Sequence, residues 1–571
     1  MYSKLYNIWK EKAVDDADLI SELEAIKDKE KDIQDRFYKD LEFGTAGIRG
    51  VIGVGTNRMN IYVVRKVTQA FAEYLIKNKE CPSIAISYDN RIKSELFAKE
   101  AACVIAANGI TVHIYKELMP VPCLSYAVRN LKCDAGIMIT ASHNPAEYNG
   151  YKVYGSDGCQ LREDAASEIH NISLTVDIFD GIKRMNFDDG LLEGKIKYIS
   201  DDIIEKYMNC VKSCLIHPEI FCESDFKVVY TPLNGTGNKP VREMFSQMGI
   251  GSVYVVKEQE NPDGNFSTCK FPNPEVKEAL SLGLEYCKKY QPDILIATDP
   301  DCDRVGIAVP DERGEYILIS GNEIGALLFE YICSQRLALG ILPENSVAVK
   351  TIVSSNITEK IAEKYGVDLK NVLTGFKYIG EQIAILERAG EEDRFIFGFE
   401  ESHGYLAGSY VRDKDGIMAT MLICEMTAFY KKQGRSVLQV LHDIYRSYGV
   451  YKNVTDSYVF DGMEGMETMS KIMSNIRRNI PNSIGNLKVL RYLDYLSSEN
   501  IELSSNRIEK ISLPKSNVLE FKLENNASVI VRPSGTEPKI KVYYTSTGAT
   551  FEDAEECQKK MKSDFVKYIK K

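Results

Sequence analysis

The chain has 571 residues, 44% apolar and 27% charged, which suits a soluble globular protein of three or four domains. Its net charge of -11, from 82 acidic and 71 basic residues, argues against a nucleic-acid binder and leaves room for basic residues gathered in a cleft for phosphorylated small molecules. The opening MYSKLYNIWKEK has no unbroken apolar core of a secretory signal, and no stretch approaches ~18 consecutive apolar residues, so no membrane span is expected. Fourteen cysteines lie scattered, with no pair of Cys pairs or His cluster that would complete a zinc site. Scattered thiols fit a reducing cytoplasm, the location expected for this chain.

Strand-like and helix-like segments alternate along most of the chain, which predicts α/β architecture. Phe43–Gly50 reads F-G-T-A-G-I-R-G, a glycine-rich turn before a strand predicted at Val51–Val54. It either brings backbone close to a ligand, with Arg49 as a fixed cation, or is only a tight turn. Ser83–Tyr88 reads as a strand, Lys93–Asn108 as a helix closed by Gly109, and Ile110–Tyr115 as the next strand. A second such unit begins at Lys227–Leu233, with a helix near Lys239–Met248 and a strand at Ser252–Val256. A third has a helix around Asn322–Leu339 and a strand at Ser346–Val353. From about Val454 the pattern shortens, and Phe551–Lys571 reads as a closing helix.

Three apolar strands run straight into polar loops: Gly136–Thr140 before A-S-H-N-P, Ile294–Thr298 before D-P-D-C-D-R, and Arg394–Phe397 before G-F-E-E-S-H-G. Ligand sites in α/β sheets lie at such carboxyl ends. In the acidic loop, Asp299, Asp301 and Asp303 alternate. At ~4 Å and an effective dielectric of ~20, each pair of carboxylates repels by about 4 kcal/mol, which a hard divalent cation relieves. An EF-hand is excluded, because Arg304 and Pro310 stand where glycine and glutamate are required. The alternative is a solvated acidic turn. Arg304 beside it suits a phosphoryl group bridging metal and guanidinium.

Ser142, followed by His143, is either a phosphoryl-carrying nucleophile or part of a polar turn. The G-x-S-x-G elbow of serine hydrolases is absent, with Thr140 and Asn144 in place of the glycines. Lys152, ten residues on, is a proton shuttle or phosphate partner, or else a surface lysine. Glu400, Glu401, Ser402 and His403 suit recognition of sugar hydroxyls, or a helix cap. Arg532, Ser534, Gly535 and Thr536 form a donor set fit for phosphate, or an ordinary turn between strands Ser528–Val531 and Lys539–Tyr544. The chain contains no Walker A loop and no G-x-G-x-x-G, so nucleotide cofactors lack support.

Phe43–Gly50, Thr140–Pro145, Asp299–Arg304, Gly398–Gly404 and Arg532–Pro538 together resemble, in order and across nearly the whole chain, the successive signatures of the α-D-phosphohexomutase superfamily. Length and sugar loop most resemble its larger bacterial phosphoglucomutases. The resemblance implies three similar α/β domains with mixed sheets and a smaller C-terminal α+β domain around a central cleft, divided at 1–205, 206–320, 321–450 and 451–571. It implies Ser142 as phosphoserine and Mg²⁺ on Asp299, Asp301, Asp303 and Ser142. Arg49, His143, Lys152 and Arg304 surround the transferring group, with Lys152 the first choice for general acid/base and His143 the second. Thr374, Gly375, Lys377, Glu400 and Ser402 bind the sugar, and Arg532, Ser534, Gly535 and Thr536 its distal phosphate. Lys350 matches a further basic position.

The implied reaction interconverts glucose 1-phosphate and glucose 6-phosphate, with glucose 1,6-bisphosphate as intermediate and activator. Small sugar phosphates are the implied partners, with neither nucleic acid nor membrane. Phosphomannomutase, phosphopentomutase and bisphosphate synthase are alternatives within the family. A metal-dependent sugar phosphatase and a non-catalytic sugar-phosphate sensor are alternatives outside it. Two departures stand out. Cys302 occupies a position often Ala in the family, where a thiol is expected to be tolerated while making the metal loop sensitive to oxidation. The sugar loop F-E-E-S-H-G differs from the G-E-E-S-F-G of strictly glucose-type and the G-E-M-S-G-H of dual-specificity relatives, which leaves the sugar open.

Overall fold

A computed structural model describes residues 2–44, 47–222, 224–460, 464–534 and 539–570. The chain divides into two compact units. The first holds Met1–Ile319, Ile379–Phe395 and His403–Phe429; the second holds Ser320–Tyr378, Ile396–Ser402 and Tyr430–Lys571.

The first unit contains two mixed sheets. One is built from β1 (Gly47–Val51), β2 (Ser83–Tyr88), β3 (Thr111–Ile114), β4 (Ala135–Ile139), β5 (Tyr148–Gly155) and β6 (Ile196–Tyr198), in the order β1-β5-β4-β2-β3-β6. Strands β2, β3, β4 and β6 run parallel, while β5 runs antiparallel to both β1 and β4. Every residue of β4 (AGIMI) is buried, as a strand covered on both faces requires. The helix Ser94–Ala107 covers this sheet, and Gly109 follows it at φ +83°. Three N-terminal helices add Trp9, Leu23 and Phe37 to the same core, and the Trp9 ring meets Phe37, Tyr62 and Phe179 edge-on.

The other sheet contains β7 (Lys227–Thr231), β8 (Ser252–Val255), β9 (Ile294–Thr298), β10 (Val305–Pro310) and β11 (Tyr316–Ile319), in the order β11-β10-β9-β7-β8. Here β7, β8 and β9 are parallel and β10 returns antiparallel to β9, so the six residues 299–304 form a tight turn at the carboxyl end of a fully buried strand.

In the second unit, β12 (Val347–Thr351) lies between β13 (Asp368–Val372), its parallel partner, and β14 (Phe395–Glu400). Strand β14 runs three residues beyond the predicted end, so Glu400 sits on its last position rather than in a loop. The first unit also holds β15 (Gly404–Leu406). The C-terminal part of the second unit forms a separate sheet from β16 (Val450–Val459), β17 (Ser483–Ile484), β18 (Leu487–Asp494), β19 (Glu499–Glu502), β20 (Arg507–Lys510), β21 (Leu519–Leu523), β22 (Ser528–Pro533) and β23 (Lys539–Gly548). The path is β16-β23-β22-β21-β18-β19-β20, with β17 paired to β18, and the helix Phe551–Ile569 packs on it. Ile352, Val353 and Leu373 join Tyr495, Val518, Ile530 and Tyr543 in one apolar cluster, which seats this sheet on the loops after β12 and β13.

A second strand boundary also differs from expectation. The strand predicted at Val51–Val54 begins earlier, at Gly47, so Arg49 lies on β1 opposite Gly150. Gly47 (φ +136°) permits this register, because a Cβ there would stand 1.9 Å from the Tyr151 carbonyl oxygen.

Candidate active site

Ser142 occupies the turn after β4, at φ +52° and 3% exposed. A left-handed conformation is uncommon for serine and costs on the order of 1 kcal/mol, so surrounding bonds must hold it. Its N–H donates to Thr140 Oγ1 (2.8 Å). Its Oγ donates to Asp299 Oδ2 (2.9 Å) and lies 3.2 Å from His143 Nδ1. The two loops that follow β4 and β9 therefore meet, 157 residues apart in sequence.

Asp299, Asp301 and Asp303 are buried, and a carboxylate oxygen from each lies within 4.8 Å of the others. The main-chain N–H groups of Asp303 and Arg304 both donate to Asp299 Oδ1 at 3.0 Å. Lys152, on β5, donates to Asp301 Oδ2 (2.8 Å) and stands 4.0 Å from Asp303. Arg304 NH1 bonds Glu275 (2.7 Å), with Nε 3.8 Å from Asp303 Oδ1. Arg49 NH1 donates to Asn144 Oδ1 (2.9 Å), on the serine loop. Thus Arg49, Ser142, His143, Lys152, the three aspartates and Arg304 gather in the first unit.

Electrostatics set the proton states. Burial, followed by repulsion from Asp301 and Asp303, pushes Asp299 well above the usual carboxylate range. Burial alone would raise Asp301 as well, but the Lys152 ammonium outweighs it and holds that carboxyl low. Burial raises Asp303 against the pull of Lys414. Burial, with the Arg304 and Arg49 cations beside it, holds the His143 imidazole well below its ordinary value, so it is neutral at pH 7. Asp301 Oδ1 and Asp303 Oδ1 are buried without a hydrogen-bond partner among the described residues. Orphaned carboxylate oxygens converging in a buried all-oxygen cluster fit a hard divalent cation.

Sequence reasoning missed two cations here. Lys414, in R-D-K-D-G, places Nζ 3.2 Å from Asp303 Oδ2 and 2.8 Å from Asp413 Oδ1. Asp415 fixes this segment: it caps the helix Gly416–Lys432 by accepting from Ile417 and Met418, while its other oxygen accepts from Tyr207 and Tyr410. Arg91 is the second, three residues past the end of β2. Each is a polar run after an apolar segment, the same signal that marked the other loops. The expected oxidation sensitivity of Cys302 is not supported: the thiol is fully buried, and that burial drives it well above its ordinary value, away from the reactive thiolate.

The second unit holds the remaining candidates. Glu400, 6% exposed, accepts the Gly375 N–H at 2.9 Å, and Gly375 itself takes φ +121°. Thr374 Oγ1 is buried with no hydrogen-bond partner among the described residues. Glu401 accepts from Thr351 Oγ1 (3.1 Å), and burial together with Glu400 pushes it up to about 7. Lys377 lies in the first turn of the helix Phe376–Arg388, and Ser402 is half-buried after β14. Lys350 is fully buried on β12, against Ser354 O and Asn356 Oδ1. Arg532 is the second-last residue of β22 and lies beside the Tyr543 hydroxyl, whose ionisation burial and then Glu401 oppose. Ser534 N–H donates to Lys539 O (2.7 Å). Gly535 and Thr536 lie outside the described residues.

Comparison with known proteins defines the class. Four family profiles match in succession: phosphoglucomutase/phosphomannomutase alpha/beta/alpha domain I at 40–177, domain II at 205–314, domain III at 320–448, and the C-terminal domain at 500–561. The chain belongs to the phosphoglucomutase/phosphomannomutase family, whose members are phosphotransferase isomerases of sugar phosphates. It is 38% identical over 552 residues to the phosphoglucomutase of Staphylococcus aureus (strain MSSA476), covering 96% of each chain. It is 38% identical over 520 residues to that of Staphylococcus haemolyticus, covering 90% of this chain and 92% of the relative. Among solved structures, pp63/parafusin, a phosphoglucomutase of Paramecium, superposes with a TM-score of 0.70 at 18% identity, covering 93% and 97% of the two chains. A phosphoglucomutase/phosphomannomutase family protein of Burkholderia thailandensis does so at 0.66 and 18%, covering 92% and 96%. In keeping with the sequence expectation, no described helix is long and apolar enough to cross a membrane.

Proposed function

We propose that the protein is a phosphoglucomutase, which interconverts glucose 1-phosphate and glucose 6-phosphate through a phosphorylated Ser142. The observation that carries this reading is the Ser142 hydroxyl, 2.9 Å from Asp299 inside a cluster of three buried carboxylates that has cations on its flanks. Asp299, Asp301 and Asp303, with Ser142, would hold Mg²⁺, which when bound supplies charge neutralisation for the transferring phosphoryl oxygens. Arg49 and Arg304 offer guanidinium donors to those oxygens. Lys152 serves as the general acid/base: as the neutral amine it takes the proton of the accepting sugar hydroxyl, becoming the ammonium that returns the proton on the reverse transfer; neutral His143 stands as the second candidate.

Phospho-Ser142 donates to O6 of glucose 1-phosphate. The glucose 1,6-bisphosphate so formed turns end for end, and its other phosphate returns to Ser142, leaving glucose 6-phosphate. In the first transfer the P–Oγ bond to Ser142 breaks as the P–O6 bond forms, so phosphorus keeps four oxygen ligands before and after, and one proton moves against each transfer. Glu400, Ser402, Thr374, Gly375 and Lys377 recognise the sugar. Arg532, Ser534, Gly535 and Thr536 grip the phosphate that is not reacting. We divide the chain for this purpose at 1–205, 206–320, 321–450 and 451–571, one loop per domain. Relatives named phosphoglucomutase over 96% of the chain support glucose as the sugar. We place the protein in the cytoplasm, where scattered free thiols stay reduced.

A coupled assay that follows glucose 6-phosphate from glucose 1-phosphate, with and without Mg²⁺ and bisphosphate primer, tests the reading. Metal dependence, stimulation by primer and loss of activity in Ser142→Ala are expected. Undiminished turnover in Ser142→Ala refutes the phosphoserine route. Stoichiometric release of inorganic phosphate would identify a phosphatase instead, and faster turnover of mannose or pentose 1-phosphate would reassign the substrate.

A further inference from the structure

Arg91 is a buried cation spent almost entirely on main chain. Its side chain is 0% exposed. NH1 donates to Pro145 O (2.8 Å) and Tyr148 O (3.0 Å); NH2 donates to Ser142 O (2.5 Å) and to Asn144 O. Nε lies 3.4 Å from Asp89 Oδ2, and Asp89 Oδ1 in turn accepts the Arg91 N–H (2.9 Å) and Ser94 Oγ (2.6 Å). Four carbonyls of the serine loop thus point at one guanidinium.

The cover over this group comes from the neighbouring sheet's polypeptide. The Phe266 ring, 1% exposed, lies with its centroid 5.0 Å from the Arg91 guanidinium carbon. Asn90 Nδ2 donates to Asp263 O (3.1 Å). Gly264 lies so close that a Cβ would stand 2.8 Å from Ile92 N and 2.9 Å from Asn90 O.

Converging carbonyl dipoles repel one another and stay converged only around a dense donor. Arginine presents five N–H groups in a planar fork; lysine has three on a tetrahedral centre. The bond to Ser142 O matters most, because it fixes the peptide that follows a left-handed residue and so the frame that carries Oγ.

We propose that Arg91 is a positioning residue for the phosphoryl carrier, acting through the main chain of residues 142–148 to hold Ser142 Oγ against the aspartate trio, with Phe266 as its seal. This rests on the reading of Ser142 as the carrier. Arg91 reaches no reacting atom; it joins the loop after β4 to the segment 263–266 and sets their spacing.

The test uses Arg91→Lys and Phe266→Leu in the full chain, with two independent readouts. The first is kcat and KM for glucose 1-phosphate. For Arg91→Lys, kcat falls about 100-fold, as a misplaced reacting group predicts, while KM stays within about threefold. The second is amide hydrogen exchange, which needs no activity: exchange across 140–150 speeds up about tenfold, with other segments unchanged. Phe266→Leu gives the same pattern in weaker form and decides the matter if Arg91→Lys does not fold. Loop exchange that is unchanged in the folded variants overturns the proposal, as does kcat within about threefold of the parent. Equal loss in kcat, KM and exchange everywhere also overturns it, because that marks general destabilisation. If wild-type protein takes no label on Ser142 from labelled glucose 1,6-bisphosphate, the functional reading fails, and the exchange result still decides the role of Arg91.

Discussion

Residue 152 illustrates how geometry separates two roles that composition merges. Its ammonium is 2.8 Å from Asp301 and faces the same cluster as Ser142, so it balances carboxylate charge, and the proposed reaction gives it proton transfer as well. Lys152→Met is expected to lower kcat by about 10²–10⁴, the range for a lost acid/base group. Affinity for Mg²⁺ should not fall, since a cation competing for Asp301 has gone; isothermal titration with Mg²⁺ reads this, and weaker binding would count against the assignment. At Glu401 the prediction concerns stability. Burial beside Glu400 raises its carboxyl from the ordinary 4.5 to about 7. A raised folded-state value favours the protonated form, so the contribution is fully present below about pH 4.5 and is lost as pH rises through about 7. Urea titrations from pH 5 to 8 should show the parent losing up to about 3 kcal/mol more than Glu401→Gln across that window. Parallel profiles would remove Glu401 as the cause. Sequence reading singled out the aspartates by their alternation after a buried strand, and Ser142 only through the family resemblance of its loop. It passed over Arg91 and Lys414, because an arginine or lysine in a polar loop gives no sign of what it will be folded against.

At the scale of the element, the decisive features are strand ends and close approaches. Three apolar strands leading into polar loops were legible, since burial on both faces demands an unbroken apolar run and the loop after it must carry the polar groups. Boundaries were less so. The early start of β1 depends on Gly47 lying against the Tyr151 carbonyl, a contact between segments about a hundred residues apart. Gly47→Ala therefore meets both a forbidden φ and a backbone clash, and should cost about 2–3 kcal/mol. A chemical denaturation midpoint measures this, and a change below about 0.5 kcal/mol would mean that β1 pairs differently. The extension of β14 to Glu400 goes with burial of every residue of the strand beside β12, which depends on what the fold stacks on the sheet.

For the molecule as a whole, the two units invite separate tests. The acidic trio lies wholly in the first unit, so Mg²⁺ should stabilise that unit by RT ln(1 + [Mg²⁺]/Kd), about 2.7 kcal/mol at a hundredfold excess over Kd. Thermal unfolding with Mg²⁺ and then with a chelator should move the transition that reports on the first unit, and Asp301→Asn should abolish the response. An identical shift in that variant would show that the ion binds elsewhere. The amino-acid sequence by itself determined the α/β class, because apolar periodicity acts locally, and the family, because short loops of fixed residue type follow one another in order along the chain. Only the tertiary structure decided that Ser142 Oγ meets Asp299, that Lys152 and Lys414 flank the trio, and that Arg91 gathers the carbonyls of the serine loop. These are contacts between segments remote along the chain, and their distances come from the packing of whole sheets, which no local pattern encodes.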